Sequence, residues 1–323
     1  MKAAVLGEQG VEIRDVAKPM PKPNEILVKV KAASLNRADL LIASGQGHGF
    51  AAGPGTAMGG ECAGEVEAIG SDVIDFKIGD RVAGSAPGAF SEYVAMDYGR
   101  AYKLLAAGLR YEQTTCFPYA VQTMHDAIVS VGRVQKGESV LIQGASTGVG
   151  LLGLQIAKLK GAAIVIGTSG NEGRRRRLKE FGCDLALDPG DSDWPEKAKA
   201  ATGGKGVDLI IDQVSAGVAN ANMQAAAVLG RIVNVGRLGG MKGDIDFDLH
   251  ALKRISYIGV TFRTRSPDEY RAIVRAARAD LWSAVEAGTL SLPVDRTFPL
   301  HEVTAALDHM KANAHFGKIV LTI

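Results

Sequence analysis

Cysteine is scarce in this 323-residue chain: only Cys62, Cys116 and Cys183 are present. They are odd in number, far apart and form no Cys-x-x-Cys pair. That excludes a disulfide framework and fits a reducing compartment. As small apolar residues they belong in the core. No run of 18 apolar residues occurs, so nothing reads as a bilayer span. The opening MKAAVLGEQGVEIRDV has too short an apolar patch for a leader, and Glu8 and Glu12 follow at once. The expectation is a cytoplasmic protein with no membrane partner. Net charge is only +2 and aromatics make up 6% of the residues. No broad basic stripe with interleaved aromatics exists, so no nucleic-acid partner is expected. Internal repeats and low-complexity segments are absent too.

What is present has three rhythms, and the length suits about two domains. The first third is β-rich. Ala3–Leu6 and Val11–Ile13 are short apolar runs, and Glu25–Ala32 alternates as a half-buried strand does. A glycine-rich stretch from Gly45 to Gly60 reads as a long loop. The middle third alternates: strand Val140–Ile142, helix 151–160, strand Ala163–Ile166, helix 174–181, strand Leu209–Asp212, helix 218–228, strand Arg231–Val235. Such alternation predicts βαβ units and a doubly wound parallel sheet. The tail has a helix over Asp268–Ala287, a second over His301–Ala312 and a closing strand over Lys318–Ile323.

The turn after Val140–Ile142 reads Gly144-Ala145-Ser146-Thr147-Gly148-Val149-Gly150. Its setting is that of a dinucleotide loop: a strand, a tight turn, then a helix whose free N–H groups face a pyrophosphate. The glycine fingerprint is broken. Ala145 and Thr147 stand in its first two positions, and Gly150 holds the third, where a side chain would wedge helix from sheet. Thr147 is the serious departure, because close approach to phosphate favours glycine there. Its hydroxyl or N–H is expected to face the phosphates instead. An ordinary βα turn is the competing reading.

The next strand ends Thr168-Ser169-Gly170, with no Asp or Glu to hold a ribose 2′-hydroxyl. Arg174–Arg177 follow. Arginine pairs bidentately with phosphate, which favours NADPH over NADH, with Arg174 nearest the strand end. The competing reading is a solvated helix face, and Glu172 is either a loop residue or a displaced ribose ligand. Asp212 and Gly236 end later strands at the same edge of the sheet.

Taken together and in order, AASLNRADLLIASGQG, GGECAGEVEAIGSDVIDFKIGDRVAG, SVLIQGASTGVG, GVDLIIDQVSAG, GRIVNVGRLGG, RTRSPDEY and HFGKIVLTI resemble the medium-chain dehydrogenase/reductase superfamily. The likeness runs the full length and is greatest to the zinc-independent quinone oxidoreductase (zeta-crystallin-like) branch, where degenerate loops are common. It implies an α/β protein with a GroES-like β-rich catalytic domain over 1–118 and 259–323, and an inserted Rossmann NADPH-binding domain over 119–258. It also implies an active site in the cleft between them, and a homodimer.

The resemblance places Asn36 and Thr123 near the nicotinamide end, Phe262 and Arg263 beside the cofactor, and Lys318 among the cofactor-binding residues. Each has a plainer reading: Asn36 as a helix cap, Thr123 as an interior helix residue. Many relatives carry a cleft tyrosine where this chain has His48. His48 is either a proton shuttle or an exposed loop histidine, and Tyr119 either replaces the missing hydroxyl or packs. Pro189 stands where relatives often place a tyrosine near the adenosine phosphate. Zinc relatives have Gly-His-Glu where this chain has Gly59-Gly60-Glu61, and Ser34–Asp39 holds no first ligand. Three protein ligands for a catalytic zinc cannot be assembled.

The implied activity is metal-free hydride transfer from NADPH to a quinone. The alternative within enzymes is reduction of an α,β-unsaturated carbonyl. The alternative of another class is an RNA-binding or structural zeta-crystallin-like protein, for which Arg174–Arg177 is the one supporting feature.

Overall fold

Among the described residues, fifteen strands take up many of the short apolar runs. The computed structural model describes residues 1–46, 53–106 and 108–323. The chain divides into two units: Met1–Tyr119 with Phe262–Ile323, and Ala120–Thr261.

The first unit opens with β1 (Lys2–Gly7), β2 (Gly10–Asp15), β3 (Glu25–Ser34), β4 (Glu61–Ile69), β5 (Arg81–Ser85), β6 (Tyr93–Asp97) and β7 (Ala101–Lys103). The second holds β8 (Ser139–Ile142), β9 (Ile164–Thr168), β10 (Leu185–Leu187), β11 (Val207–Asp212), β12 (Ala226–Asn234) and β13 (Ser256–Gly259). The tail returns to the first unit with β14 (Val294–Pro299) and β15 (Lys318–Thr322).

The first unit's larger sheet runs β14-β15-β3-β4-β5-β7, with β6 added on β3. β3 is its hub and pairs antiparallel with β15, β4 and β6. Its burial alternates only over Val28–Ala32; Ile26, Leu27 and Val28 are buried in a row, as are Ala32, Ala33 and Ser34, and the register with β4 shifts at Leu27/Val28 and Val30/Ala32. The helix Pro267–Glu286 starts at a capping box formed by Ser266 and Glu269, with Pro267 in its first turn, where a missing N–H costs nothing. Its Trp282 stacks on Tyr102 at 4.3 Å between centroids and donates its indole N–H to the Lys103 carbonyl at 3.0 Å.

The second unit's sheet is parallel throughout, in the order β10-β9-β8-β11-β12-β13. That is the doubly wound dinucleotide-binding order, with its switch point between β8 and β11. Val140, Leu141, Ile142, Leu209, Ile210 and Ile211 are fully buried, as strands covered by helices on both faces must be. Two of its strands, Leu185–Leu187 and Ser256–Gly259, lie outside the runs that periodicity picks out. Both sit at sheet edges, where a strand of three or four residues with mixed exposure leaves a weak pattern. The helix expected over 218–228 is only Ala219–Ala225, because the chain is already paired as β12 from Ala226. Lys253 ends that helix, donating to the carbonyls of Met223, Gln224 and Ala226 at 2.6–2.9 Å.

Candidate functional site

The turn after β8 is shaped by close backbone contact. Gly144 has φ +66°, the left-handed region that favours glycine. A Cβ on Gly150 would stand 2.7 Å from the Gly144 carbonyl oxygen and 2.8 Å from Ala145 Cα. Glycine is therefore required there for helix and turn to meet. The helix spans Gly148–Leu159, three residues earlier than its apolar pattern begins. Thr147 explains the difference: its hydroxyl caps the helix, accepting from the Gly150 N–H at 2.9 Å. The same hydroxyl lies 3.2 Å from Gln213 Oε1, and the Thr147 N–H donates to the Gly144 carbonyl at 3.2 Å. Both polar groups of Thr147 thus have partners inside the protein. The N–H groups of Gly148 and Val149 have no acceptor within the helix and form the donor pair at its positive end, where an anion binds.

Around this turn lies a buried polar network. Thr168 donates to Gln143 Oε1 at 2.6 Å and accepts from the Gly144 N–H at 3.1 Å. Gln143 donates to Asn222 Oδ1 at 2.7 Å, and Gln213 donates to the Gln143 carbonyl at 3.0 Å. Ala145 is buried and donates its N–H to the Thr168 carbonyl. Ser146 and Ser169 are joined hydroxyl to hydroxyl at 3.0 Å. Gly236 approaches so near that a Cβ would meet the Gln213 carbonyl oxygen at 2.5 Å. Asp212 is buried and shapes the following loop by accepting from the Val214 and Ser215 N–H groups.

The structure sorts the four arginines. Arg175 donates to the Ser169 carbonyl at 2.7 Å and pairs with Asp188 at 2.8 Å. Arg176 pairs with Glu172, which is thereby held on the outer face of the helix. Arg177 pairs with Glu180 at 3.2 Å. Arg174 is half-buried, and its N–H is capped by Asn171. Asp188 carries no signal in the sequence pattern. It follows β10, whose Leu187 is in register with Thr168, so an acid does stand beside the end of β9. Arg175 neutralises it. Gly170 is exposed with open space around its Cα.

In the first unit a second cluster centres on Glu61, which is 0% exposed. Its Oε1 accepts from Ser34 Oγ at 2.6 Å, Asn36 Nδ2 at 2.8 Å and Lys318 Nζ at 2.7 Å. Its Oε2 accepts from the Tyr119 N–H at 2.7 Å. Lys318 also donates to Asn36 Oδ1 at 2.9 Å. The amide of Asn36 is therefore held from both ends in one orientation. Asn36 stands at the N-cap position of the helix Arg37–Ala43, yet its side chain is turned toward Glu61 and Lys318. Asp39, at the third helical position, supplies the reciprocal half of a capping box, accepting from the Asn36 N–H at 2.7 Å.

Gly60 acquires a physical reason here. A Cβ at this position would lie 2.5 Å from the Tyr119 hydroxyl oxygen. The space that a histidine would take is thus filled by tyrosine. Burial pushes the Tyr119 phenol well up from its ordinary pKa, so the hydroxyl stays protonated and can donate a hydrogen bond. Thr123 lies further along the same helix, Pro118–His125, and is half-buried. Phe262 packs on Tyr270 at 4.9 Å between centroids, and Arg263 is exposed. His48 lies outside the described residues. Among the described residues, no group of three or more His, Cys, Asp or Glu side chains is placed to hold a metal ion. The three cysteines are free and buried, and burial pushes the Cys116 thiol up to about 12.

Asp39 is 2% exposed, and burial drives its pKa up to about 7, against lowering by the Asn36 N–H and Lys318. Between its unfolded value near 4 and about 7, the folded chain holds a proton that the unfolded chain has released. Raising the pH through that window must weaken the fold. The expected result is a melting temperature that falls between about pH 4 and about pH 7 and then levels, with a shallower fall in Asp39→Asn. Thermal melts of both proteins across that range check it; parallel curves would remove Asp39 as the cause.

Residues 148–279 match the family described as zinc-binding dehydrogenases, and residues 22–106 match the alcohol dehydrogenase GroES-like domain. The chain is 31% identical over 320 residues to the phthioceranic/hydroxyphthioceranic acid synthase of Mycobacterium tuberculosis, a match covering 98% of this chain and 15% of that protein. The chain spans only about a seventh of the length of the curated relatives it matches. Among solved structures, a mycobacterial protein complexed with NADPH superposes with a TM-score of 0.88 at 25% identity, over the whole of both chains. A mycobacterial quinone oxidoreductase superposes with a TM-score of 0.87 at 26% identity, again over the whole of both.

Proposed function

The chain belongs to the medium-chain dehydrogenase/reductase superfamily, in its zinc-independent, quinone-oxidoreductase-like branch; from that premise we propose that it is an NADPH-dependent reductase whose hydride acceptor is a quinone. The observation that carries the cofactor is the edge of the second unit's sheet. The first-turn N–H groups of Gly148 and Val149 suit a pyrophosphate. At the end of β9 the Ser146 and Ser169 hydroxyls stand side by side, Asp188 is neutralised by Arg175, and Glu172 is paired with Arg176. A 2′-phosphate meets no unpaired acid there. The NADPH-bound neighbour supports the same reading. NADPH, when bound, supplies the hydride.

The chain's own residues then have two tasks. The first is to stabilise the negative charge that grows on the acceptor oxygen as hydride arrives. A neutral Tyr119 hydroxyl is a suitable donor, because a protonated phenol gives a hydrogen bond that a phenolate cannot. The second is positioning. Glu61 and Lys318 hold the Asn36 amide so that its remaining N–H has one direction. With its orientation already set, Asn36 needs no reorganisation when the acceptor binds.

The second reading, reduction of an α,β-unsaturated carbonyl, is supported by the acid-synthase and polyketide-synthase relatives matched along nearly the whole chain. It uses the same residues, because an enolate oxygen needs the same donor. Two further parts of this reading are assembly as a homodimer, which rests on the resemblance alone, and a cytoplasmic location, which rests on the scarce cysteines and the lack of an apolar run long enough to span a bilayer. Steady-state rates with 1,4-benzoquinone, 9,10-phenanthrenequinone and simple enones, each with NADPH and with NADH, test it. The expected result is oxidation of NADPH well ahead of NADH, with quinones ahead of enones. NADH at equal or greater rate would overturn the cofactor reading, and enones ahead would favour the second substrate.

A further inference from the structure

Arg100 ends the short turn Tyr98–Arg100 of the first unit, and among the described residues no carboxylate pairs with its guanidinium. It borders a cavity of about 300 Å³. The other charges of the wall are already matched. Asp97 accepts from Arg271 at 2.7–3.1 Å, from Asn24 at 3.2 Å and from the Gly99 N–H at 2.9 Å. Glu25 faces Lys22 at 3.7 Å. Arg100 is left as the one uncompensated charge of the recess. One face of its guanidinium lies on Tyr270, 4.2 Å from the ring centroid, a cation–π contact that fixes the plane. Its Nε is buried with no acceptor. Fixed in plane and lacking a counter-ion, the group is ready to accept an anion.

We propose that this cavity binds a small organic carboxylate, anchored by Arg100. A carboxylate matches the planar fork of a guanidinium. The rest of the wall calls for an apolar body: Ala86, Ala95 and Pro267 line it beside Asn24 and Ser85. The volume is at the lower end of what small-molecule sites occupy, about 300–1,000 Å³. A single carboxylate matches the one charge that Arg100 leaves uncompensated, whereas the second charge of a phosphate ester finds no partner in the wall. Tyr270 also packs on Phe262, so the ligand's anchor is continuous with the segment that the resemblance assigns to cofactor contact. The cavity lies wholly in the first unit and needs no dinucleotide.

The test is calorimetric titration of the full chain, without dinucleotide, with benzoate and with uncharged benzamide of the same shape. Benzoate is expected to bind at least about tenfold tighter than benzamide, the ratio that one charge-assisted hydrogen bond supplies. Arg100→Met should remove that advantage and leave benzamide binding unchanged. Arg100→Lys, which keeps the charge, should retain part of it and serves if the methionine variant does not fold. Ala95→Leu, which narrows the recess, should weaken both ligands. Benzoate binding no tighter than benzamide, or unchanged by Arg100→Met, would overturn the proposal. Because no cofactor is present, neither outcome depends on the reductase reading.

Discussion

Replacing Lys318 with methionine is expected to destabilise the first unit by about 3–5 kcal/mol, the cost of leaving a buried charge unpaired. Glu61 is 0% exposed and the Lys318 side chain 5%, so water cannot take over for the lost ammonium. The loss should belong to the pair rather than to either residue. Glu61→Gln with Lys318→Met makes the site neutral, and most of the stability should return. Activity should not return with it, because the Asn36 carbonyl has lost the donor that oriented it. Of the two tryptophans, Trp282 lies in the first unit and Trp194 in the second. Urea unfolding followed by fluorescence in a Trp194→Phe background therefore reports on the first unit. A double variant as unstable as Lys318→Met would show that the ion pair is not the source.

Gly150→Val should weaken cofactor binding on the order of 100-fold while leaving the parallel sheet formed. Its Cβ would meet two backbone atoms at 2.7 and 2.8 Å, and backbone cannot swing aside as a flexible side chain does. The helix Gly148–Leu159 must therefore move off the turn, carrying the Gly148 and Val149 donors with it. A displacement of about 1 Å at such a site costs on the order of 100-fold. Titration of NADPH fluorescence reads the loss, and circular dichroism checks that the fold persists. Wild-type affinity in this variant would show that the turn is not where the pyrophosphate sits.

Thr147 illustrates how far local pattern reaches. The strand, the turn and the helix around it are legible because each is encoded within a few residues: apolar runs, glycines and a period of 3.6. The use of its hydroxyl is not, because capping the helix and reaching Gln213 depend on how β11 sits beside β8. The arginines follow the same rule. Their presence after β9 can be read directly, but Asp188, which holds Arg175, belongs to a strand of three residues with too little pattern to be seen. Gly60 was notable in the sequence only for the histidine it replaces. Its packing against Tyr119, from a segment 59 positions away, supplies the cause.

The sequence by itself determined the class of the protein: two kinds of architecture in one chain, a dinucleotide-type βα turn, a β9 end that carries hydroxyls, and a family likeness spread over seven motifs. These are local signals, each carried by residues close in the chain. Only the tertiary structure decided how the chemistry-bearing side chains are paired. Lys318 meets Glu61 across 257 positions, because β15 and β4 flank β3 in one sheet. No periodicity records such a meeting. A buried charge is tolerated only where the fold delivers its partner, and that delivery is a property of the sheet's strand order rather than of any stretch within it.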